Sequence, residues 1–237
     1  MNNNKVFVIT GASRGIGEGI ALMLSSKLKN INLVLIAKNI EKLKNVKEKC
    51  IENGSNVEIF SCDVSNVDEV NNMAEQFHKK FSHVDVLINN AGIFKYSTFI
   101  DTTVEMFDEM ISTNLRSVFL ISKVFIPLMI NQNYGDIFNV SSIAGLSGYY
   151  GGSAYSASKF GISGLSKTMR IELKKHNIKV CCVYPGAVYT DSWKDTEHPI
   201  EKFIPIEDIS LLFYNLYELS RNTVVEEITL RPISGDL

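Results

Sequence analysis

The chain has 237 residues, 45% of them apolar and 21% charged, with a formal net charge of −2. That length fits one α/β domain with a core large enough to fold without disulfides or metals, and the apolar share excludes disorder. The near-neutral balance argues against a general nucleic-acid binder, and no apolar run reaches the ~18 residues that cross a bilayer.

In chain order, short β-rich runs alternate with longer helical patterns. Strands are predicted at Lys5–Thr10, Asn32–Ala37, Val57–Ser61, Val84–Asn89, Asp136–Val140, Lys179–Tyr184 and Glu227–Leu230. Helices are predicted at Ile16–Leu28, Glu41–Glu52, Val67–Phe81, Val104–Ile130 (read as a pair), Tyr155–His176 and Glu207–Leu219. Most strand runs are near-continuous Val, Ile, Leu and Phe, the pattern of strands covered on both faces. Such alternation specifies right-handed βαβ units, hence a Rossmann-like, doubly wound, seven-stranded parallel sheet flanked by helices. No composition shift, repeat or Pro/Ser-rich linker divides residues 1–237, so they are read as one domain. The longest apolar run, Ser117 to Ile130, is broken by Lys123 and Pro127, and Val6–Ile9 is too short for a signal peptide. A soluble, cytoplasmic protein is expected.

The long polar loop from Tyr189 to Pro205 holds the only tryptophan, Trp193, and loops of this length in compact domains are more often functional than idle. The four cysteines form no Cys-x-x-Cys pair, and Cys181 and Cys182 are neighbours on a predicted strand, so they should face opposite ways. Buried free thiols in a reducing compartment and no metal site are expected.

Thr10-Gly11-Ala12-Ser13-Arg14-Gly15-Ile16-Gly17 follows the first strand and opens the first helix. Gly11 permits a tight turn, while Gly15 and Gly17 would let the backbone approach a pyrophosphate at the positive end of the helix dipole. The second strand ends Ile36-Ala37-Lys38-Asn39, with no acid before Glu41. A carboxylate there would hold a ribose 2′-OH and repel a 2′-phosphate, whereas Lys38 and Arg14 would attract one. NADPH is therefore expected, the alternative being that Lys38 merely starts a solvated helix. Tyr155 and Lys159 stand four apart and share a helix face, where an ammonium would favour the phenolate. An ordinary tyrosine, with a pKa of about 10, needs such help to exchange protons near neutrality.

The Gly-x3-Gly-x-Gly spacing, Asn89-Asn90-Ala91-Gly92, Ser142 thirteen residues before Tyr155-Ser156-Ala157-Ser158-Lys159, and Pro185-Gly186 occur in that order. Together they resemble the short-chain dehydrogenase/reductase family over essentially the whole chain. The resemblance implies an NADPH site built from Gly11, Ser13, Arg14, Gly15, Ile16, Gly17, Lys38, Asn39, Asp63, Val64, Asn90, Ala91, Gly92, Tyr155, Lys159, Pro185, Gly186, Val188 and Thr190. Within it Asp63 would accept from the adenine amine, or else serve only as a turn or helix-start residue. Tyr155 would protonate a developing alkoxide, Ser142 would position the carbonyl oxygen, and Lys159 would hold the nicotinamide ribose and tune Tyr155. Asn114 would brace a water chain to Lys159, or be a buried structural residue. The helices at 117–130 and 155–176, the second with small residues at Ala157, Ser158, Gly161 and Gly164, would form a homodimer or homotetramer.

The stretch from Pro185 to Trp193, Pro205–Ile209, Thr223–Ile228 and Arg231–Asp236 resembles the bacterial sepiapterin reductases, a branch that reduces side-chain carbonyls of pterins. On that reading Ser142, Tyr155, Phe94, Tyr149 and Trp193 contact the substrate, Tyr96 and Tyr150 lie near the cleft, and Asp236 is a candidate for the amino-pyrimidinone edge. The competing enzyme readings are a 3-oxoacyl-thioester (acyl-carrier-protein) reductase and a general ketone or alcohol dehydrogenase. A non-catalytic NADPH-binding regulator is the alternative of another class.

Overall fold

In the computed structural model, which describes residues 4–193 and 196–236, the apolar runs become strands whose alternate side chains enter two separate cores. The strands are Lys5–Thr10 (β1), Ile31–Ala37 (β2), Asn56–Ser61 (β3), Val86–Asn89 (β4), Gly135–Val140 (β5), Ile178–Pro185 (β6) and Glu227–Leu230 (β7). All pair in parallel, in the order β3-β2-β1-β4-β5-β6-β7. Phe7 and Ile9 of β1 pack with helices Gly15–Lys27 (α1), Ile40–Glu52 (α2) and Ile206–Glu218 (α7). Val6 and Val8 point the other way, towards helices Val67–His78 (α3), Ser117–Gln132 (α5) and Ser153–Leu173 (α6). Cys181 and Cys182 divide between the opposite faces as their adjacency requires, and all four cysteines are buried and free.

Side-chain caps fix where helices begin. Asn39 accepts from the Lys42 amide at the start of α2, and Asn66 accepts from the amides of Asp68 and Glu69 at the start of α3. The expected pair of helices at 104–130 is corrected to one continuous helix, Val104–Gln132. Its first part, Val104–Met110 (α4), passes into π-helical turns at Ile111–Arg116 and then into α5. There the Ser117 amide bonds the Ser112 carbonyl five residues back, which widens the helix without breaking it. Nor does Pro127 break it, since proline lies inside α5. The joined helix is long and apolar enough to cross a membrane, yet Val118, Ile121, Phe125 and Met129 are buried within the fold.

Two carboxylates are buried at the sheet edge opposite the strand C-termini. Asp85 accepts from the Val6 amide and from Lys5 Nζ, each at 2.8 Å. Asp136 receives two 2.8 Å bonds from Arg221 Nη1, and that guanidinium lies 4.1 Å over the Tyr134 ring.

Candidate active site

Strand order reverses between β1, which leads back to β2, and β4, which leads on to β5. The loops leaving these two strands diverge and open a crevice at the carboxyl end of the sheet, where doubly wound folds hold ligands. Thr10 knits the two loops: its hydroxyl accepts from the amides of Asn90 and Ala91 at 3.0 and 3.1 Å. Asn90 Nδ2 donates back to the Thr10 carbonyl at 3.0 Å. The resulting cleft, of about 760 Å³, runs from Lys38, Asn39 and Lys42 past the glycine loop to Ser142, Tyr155, Trp193 and Asp236.

Gly11 and Gly15 have φ of +65° and +58°, and both line the cleft. Arg14 is the N-cap of α1 but its side chain makes no capping bond, so the first amides of α1 are left to an anion. Ser13 and Ile16 complete this wall. These features, with cations at one end, fit a dinucleotide phosphate.

Gly17 needs a different explanation from the expected one. It does not line the cleft; a Cβ there would run into the Gly11 carbonyl and lie 2.6 Å from Asn90 Nδ2. Its bareness lets α1 pack on the loop rather than letting a pyrophosphate approach.

Both expected phosphate cations are already paired. Arg14 binds Asp191, and Lys38 Nζ lies 2.7 Å from Asp63 Oδ2. The other Asp63 oxygen accepts from the Ser65 amide and hydroxyl, so this carboxylate serves its own turn and Lys38. Its neighbours Cys62 and Val64 line the cleft, whereas Asp63 does not. Against the cost of partial burial, these partners hold its carboxyl below the ordinary range. Lys42 was not anticipated: it lines the cleft with no carboxylate partner among the described residues. The capping Asn39 three residues earlier was the available signal.

At the other end, α6 carries Tyr155 and Lys159 into the cleft, opposite Ser142 at the end of β5. Ser141 is turned away, its buried hydroxyl donating to the Lys159 carbonyl at 3.0 Å. Ser142 accepts from the Ala144 amide at 3.2 Å and lines the cleft together with the Tyr155 phenol. Burial raises the Tyr155 pKa above its ordinary value, and the nearby Ser142 hydroxyl opposes that rise. Lys159 Nζ donates to the Val140 carbonyl at 3.0 Å and lies 5.5 Å from the Tyr155 ring centre. Burial brings its pKa down to about 8. Burial is thus the first influence on the phenol, and the Lys159 ammonium stands beside its ring as the four-residue spacing requires.

Asn114 is fully buried in the π-helical turns. Its Oδ1 accepts from the Ile93 amide at 2.8 Å, and its Nδ2 donates to the Ile93 carbonyl and Ser158 Oγ, each at 3.0 Å. It thereby clamps the loop after β4 to α6 beside Gly92, whose added Cβ would lie 3.7 Å from Lys159 Nζ.

Pro185, Gly186, Val188 and Thr190 form the opposite wall, with Asn90, Ala91 and Gly92 facing them. Of the expected aromatics, Phe94, Tyr149 and Trp193 line the cleft, whereas Tyr96 and Tyr150 do not. Phe94 meets Tyr155 edge-on with ring centres 5.1 Å apart. Tyr96 lies instead over Gly151, whose φ of +75° admits the ring, and Tyr150 is exposed. Asp236 reaches the cleft paired with Arg231. Within the loop at 189–205, residues 194 and 195 fall outside the described residues.

A doubly wound sheet with a glycine loop at its switch point and a Ser-Tyr-Lys set across the crevice defines a dinucleotide-binding oxidoreductase fold. The chain belongs to the short chain dehydrogenase family, whose match runs over residues 5–201. It is 34% identical to the sepiapterin reductase of Chlorobaculum tepidum, over 98% of both chains. It is 36% identical to a 3-oxoacyl-acyl-carrier-protein reductase of Synechocystis, over 85% of this chain and 82% of that one. An alcohol dehydrogenase of the archaeon Thermococcus sibiricus, solved with 5-hydroxy-NADP, superposes with a TM-score of 0.90 at 29% identity, covering 98% of this chain and 97% of that one.

Proposed function

We propose that this chain is an NADPH-dependent carbonyl reductase in which Tyr155 is the proton donor, and that its substrate is sepiapterin or a related pterin ketone. The observation that carries the reaction type is the placing of Ser142, Tyr155 and Lys159 in the same cleft as the glycine loop. NADPH, when bound, supplies the hydride. Ser142 orients the carbonyl oxygen, and the phenol of Tyr155, kept protonated by burial, gives its proton to that oxygen as negative charge develops. Lys159, held on the Val140 carbonyl, presents a positive charge to the ribose side of the cleft. Asn114 positions Lys159 through Ser158 and the Ile93 backbone.

Lys159 with a pKa near 8 is charged below that value and neutral above it. The kcat of ketone reduction is therefore expected to be level below pH 8 and to fall as pH rises through it. A steady-state pH profile at saturating NADPH checks this, and a flat profile to pH 10 would remove the charge from the mechanism.

For the substrate, the sepiapterin reductase alignment extends over the C-terminal stretch that walls the cleft, whereas the thioester reductase alignment covers less of the chain. Trp193, Phe94 and Tyr149 offer flat faces for a bicyclic heteroaromatic ring. Oxidation of NADPH at 340 nm with sepiapterin, acetoacetyl thioester and a simple diketone separates the readings. Turnover mainly of sepiapterin is expected. Preference for the thioester keeps the chemistry and discards the pterin, and NADPH binding without turnover of any ketone would favour a regulator.

The outward face of α5 and α6 fits a homodimer or homotetramer, with Phe119, Phe160 and Ile171 exposed and open space at Gly164. Gly161 and Ser158 are spent within the chain, against Leu115 and Asn114. The buried free thiols suit a reducing cytoplasm.

A further inference from the structure

Among the described residues, the loop that carries Trp193 is tied to the glycine loop by one ion pair. Arg14 Nη1 bonds Asp191 Oδ2, the residue after Thr190, and both side chains are about half exposed. The loops touch beside it, since a Cβ on Gly15 would lie 3.4 Å from Thr190 Cγ2. Asp191 opens a short 3-10 turn ending at Trp193, whose amide donates to the Thr190 carbonyl at 2.9 Å. The indole in turn meets Phe203 edge-on at 5.2 Å. Arg14, Asp191 and Trp193 all line the cleft.

The geometry points to Asp191 as a residue that sets cofactor discrimination: its carboxylate competes with a 2′-phosphate for Arg14, so that the phosphate and the Trp193 loop draw on one guanidinium. This rests on the NADPH reading above. A carboxylate and a phosphate ask for the same donors of the planar group, and each repels the other across a few ångströms. Lys38 is engaged by Asp63 at 2.7 Å, and Lys42, which also lines the cleft, offers a point charge but not the planar fork of Arg14. A nucleotide without the 2′-phosphate makes no demand on Arg14 and leaves its pair with Asp191 intact. Binding of the phosphate is therefore paid for in part by loosening the loop, and removal of the Asp191 charge lifts that cost.

Calorimetric titration of the whole chain with adenosine 2′,5′-bisphosphate and with adenosine 5′-monophosphate tests the competition. The unmodified chain is expected to prefer the bisphosphate. Asp191→Asn is expected to bind the bisphosphate about fivefold tighter, the upper range for an exposed pair, with 5′-monophosphate binding unchanged. Asp191→Glu keeps the original affinities, and Asp191→Asn made on an Arg14→Ala background gains nothing. Emission from Trp193, the only indole, is expected to shift with the bisphosphate and not with the monophosphate. No gain in Asp191→Asn, an equal gain for both nucleotides, or identical emission responses would overturn the proposal. An unmodified chain that binds the two nucleotides alike would instead overturn the NADPH reading, and this inference with it.

Discussion

Replacement of Tyr155 by Phe is expected to lower kcat for ketone reduction by about 10²–10⁴, the range a positioned proton donor contributes. The substitution removes one hydroxyl and leaves the ring, so its edge-on contact with Phe94 at 5.1 Å survives. Ser142 keeps its bond from the Ala144 amide, and Lys159 keeps the Val140 carbonyl. The glycine loop is unchanged and only one hydroxyl is lost at the nicotinamide end, so the Kd for NADPH should rise by no more than about tenfold, the net worth of one hydrogen bond. Stopped-flow hydride transfer beside a fluorescence titration of NADPH separates the two effects. Retention of more than a tenth of the rate would mean that another group supplies the proton.

Arg221→Ala is expected to destabilise the fold by about 3–5 kcal/mol, because it strands a buried carboxylate. The Asp136 side chain is only 3% exposed, and Arg221 Nη1 meets both its oxygens at 2.8 Å. Burial already raises the Asp136 carboxyl pKa above its ordinary value despite the partner guanidinium, and loss of Arg221 raises it further. The sign of the pH dependence follows. A carboxyl raised in the folded state favours that state when protonated and opposes it when charged, so the deficit is largest near neutrality and shrinks as pH falls towards about 4. Asp136→Asn in the same chain should recover much of the loss. Urea unfolding at two pH values measures both effects, and a deficit under about 1 kcal/mol at pH 7 would mean that water compensates the charge.

The strands were the most legible part of the sequence, since a sheet covered on both faces demands short near-continuous apolar runs, and the one longer run, Ser117–Ile130, exceeds strand length and proves helical. The long helix was misread because a π-helical turn requires no glycine, proline or polar interruption; Ile111–Arg116 looks locally like any amphipathic stretch. Tyr155 and Lys159 were legible as neighbours on one helix face, Ser142 only through the family resemblance, and all three line the cleft. The Arg14–Asp191 pair was not, since it joins residues 177 apart through two loops and leaves no periodic trace. The Lys38–Asp63 pair lay nearer to hand: Ala37 and Ser61 are register partners on β2 and β3, so the residues just beyond them emerge side by side. Gly17 shows the limit of motif reading, for the same bare Cα serves phosphate approach and helix packing alike, and only the neighbouring Gly11 carbonyl and Asn90 tell them apart.

The cleft is walled on one side by Gly11 and on the other by Pro185–Thr190, which the stretch after β7 backs from behind. The Gly186 amide donates to the Leu230 carbonyl at 2.7 Å, Pro232 packs over Gly186, and Asp236 reaches the rim. During synthesis the chain emerges from its N-terminal side first, so the glycine loop is made long before its far wall exists. The complete nucleotide site therefore forms late. The first half of the sheet carries its own apolar packing, Phe7 and Ile9 against Ile20, Leu24 and Leu43, and the cofactor meets its full set of contacts only after Pro185–Thr190 has joined it.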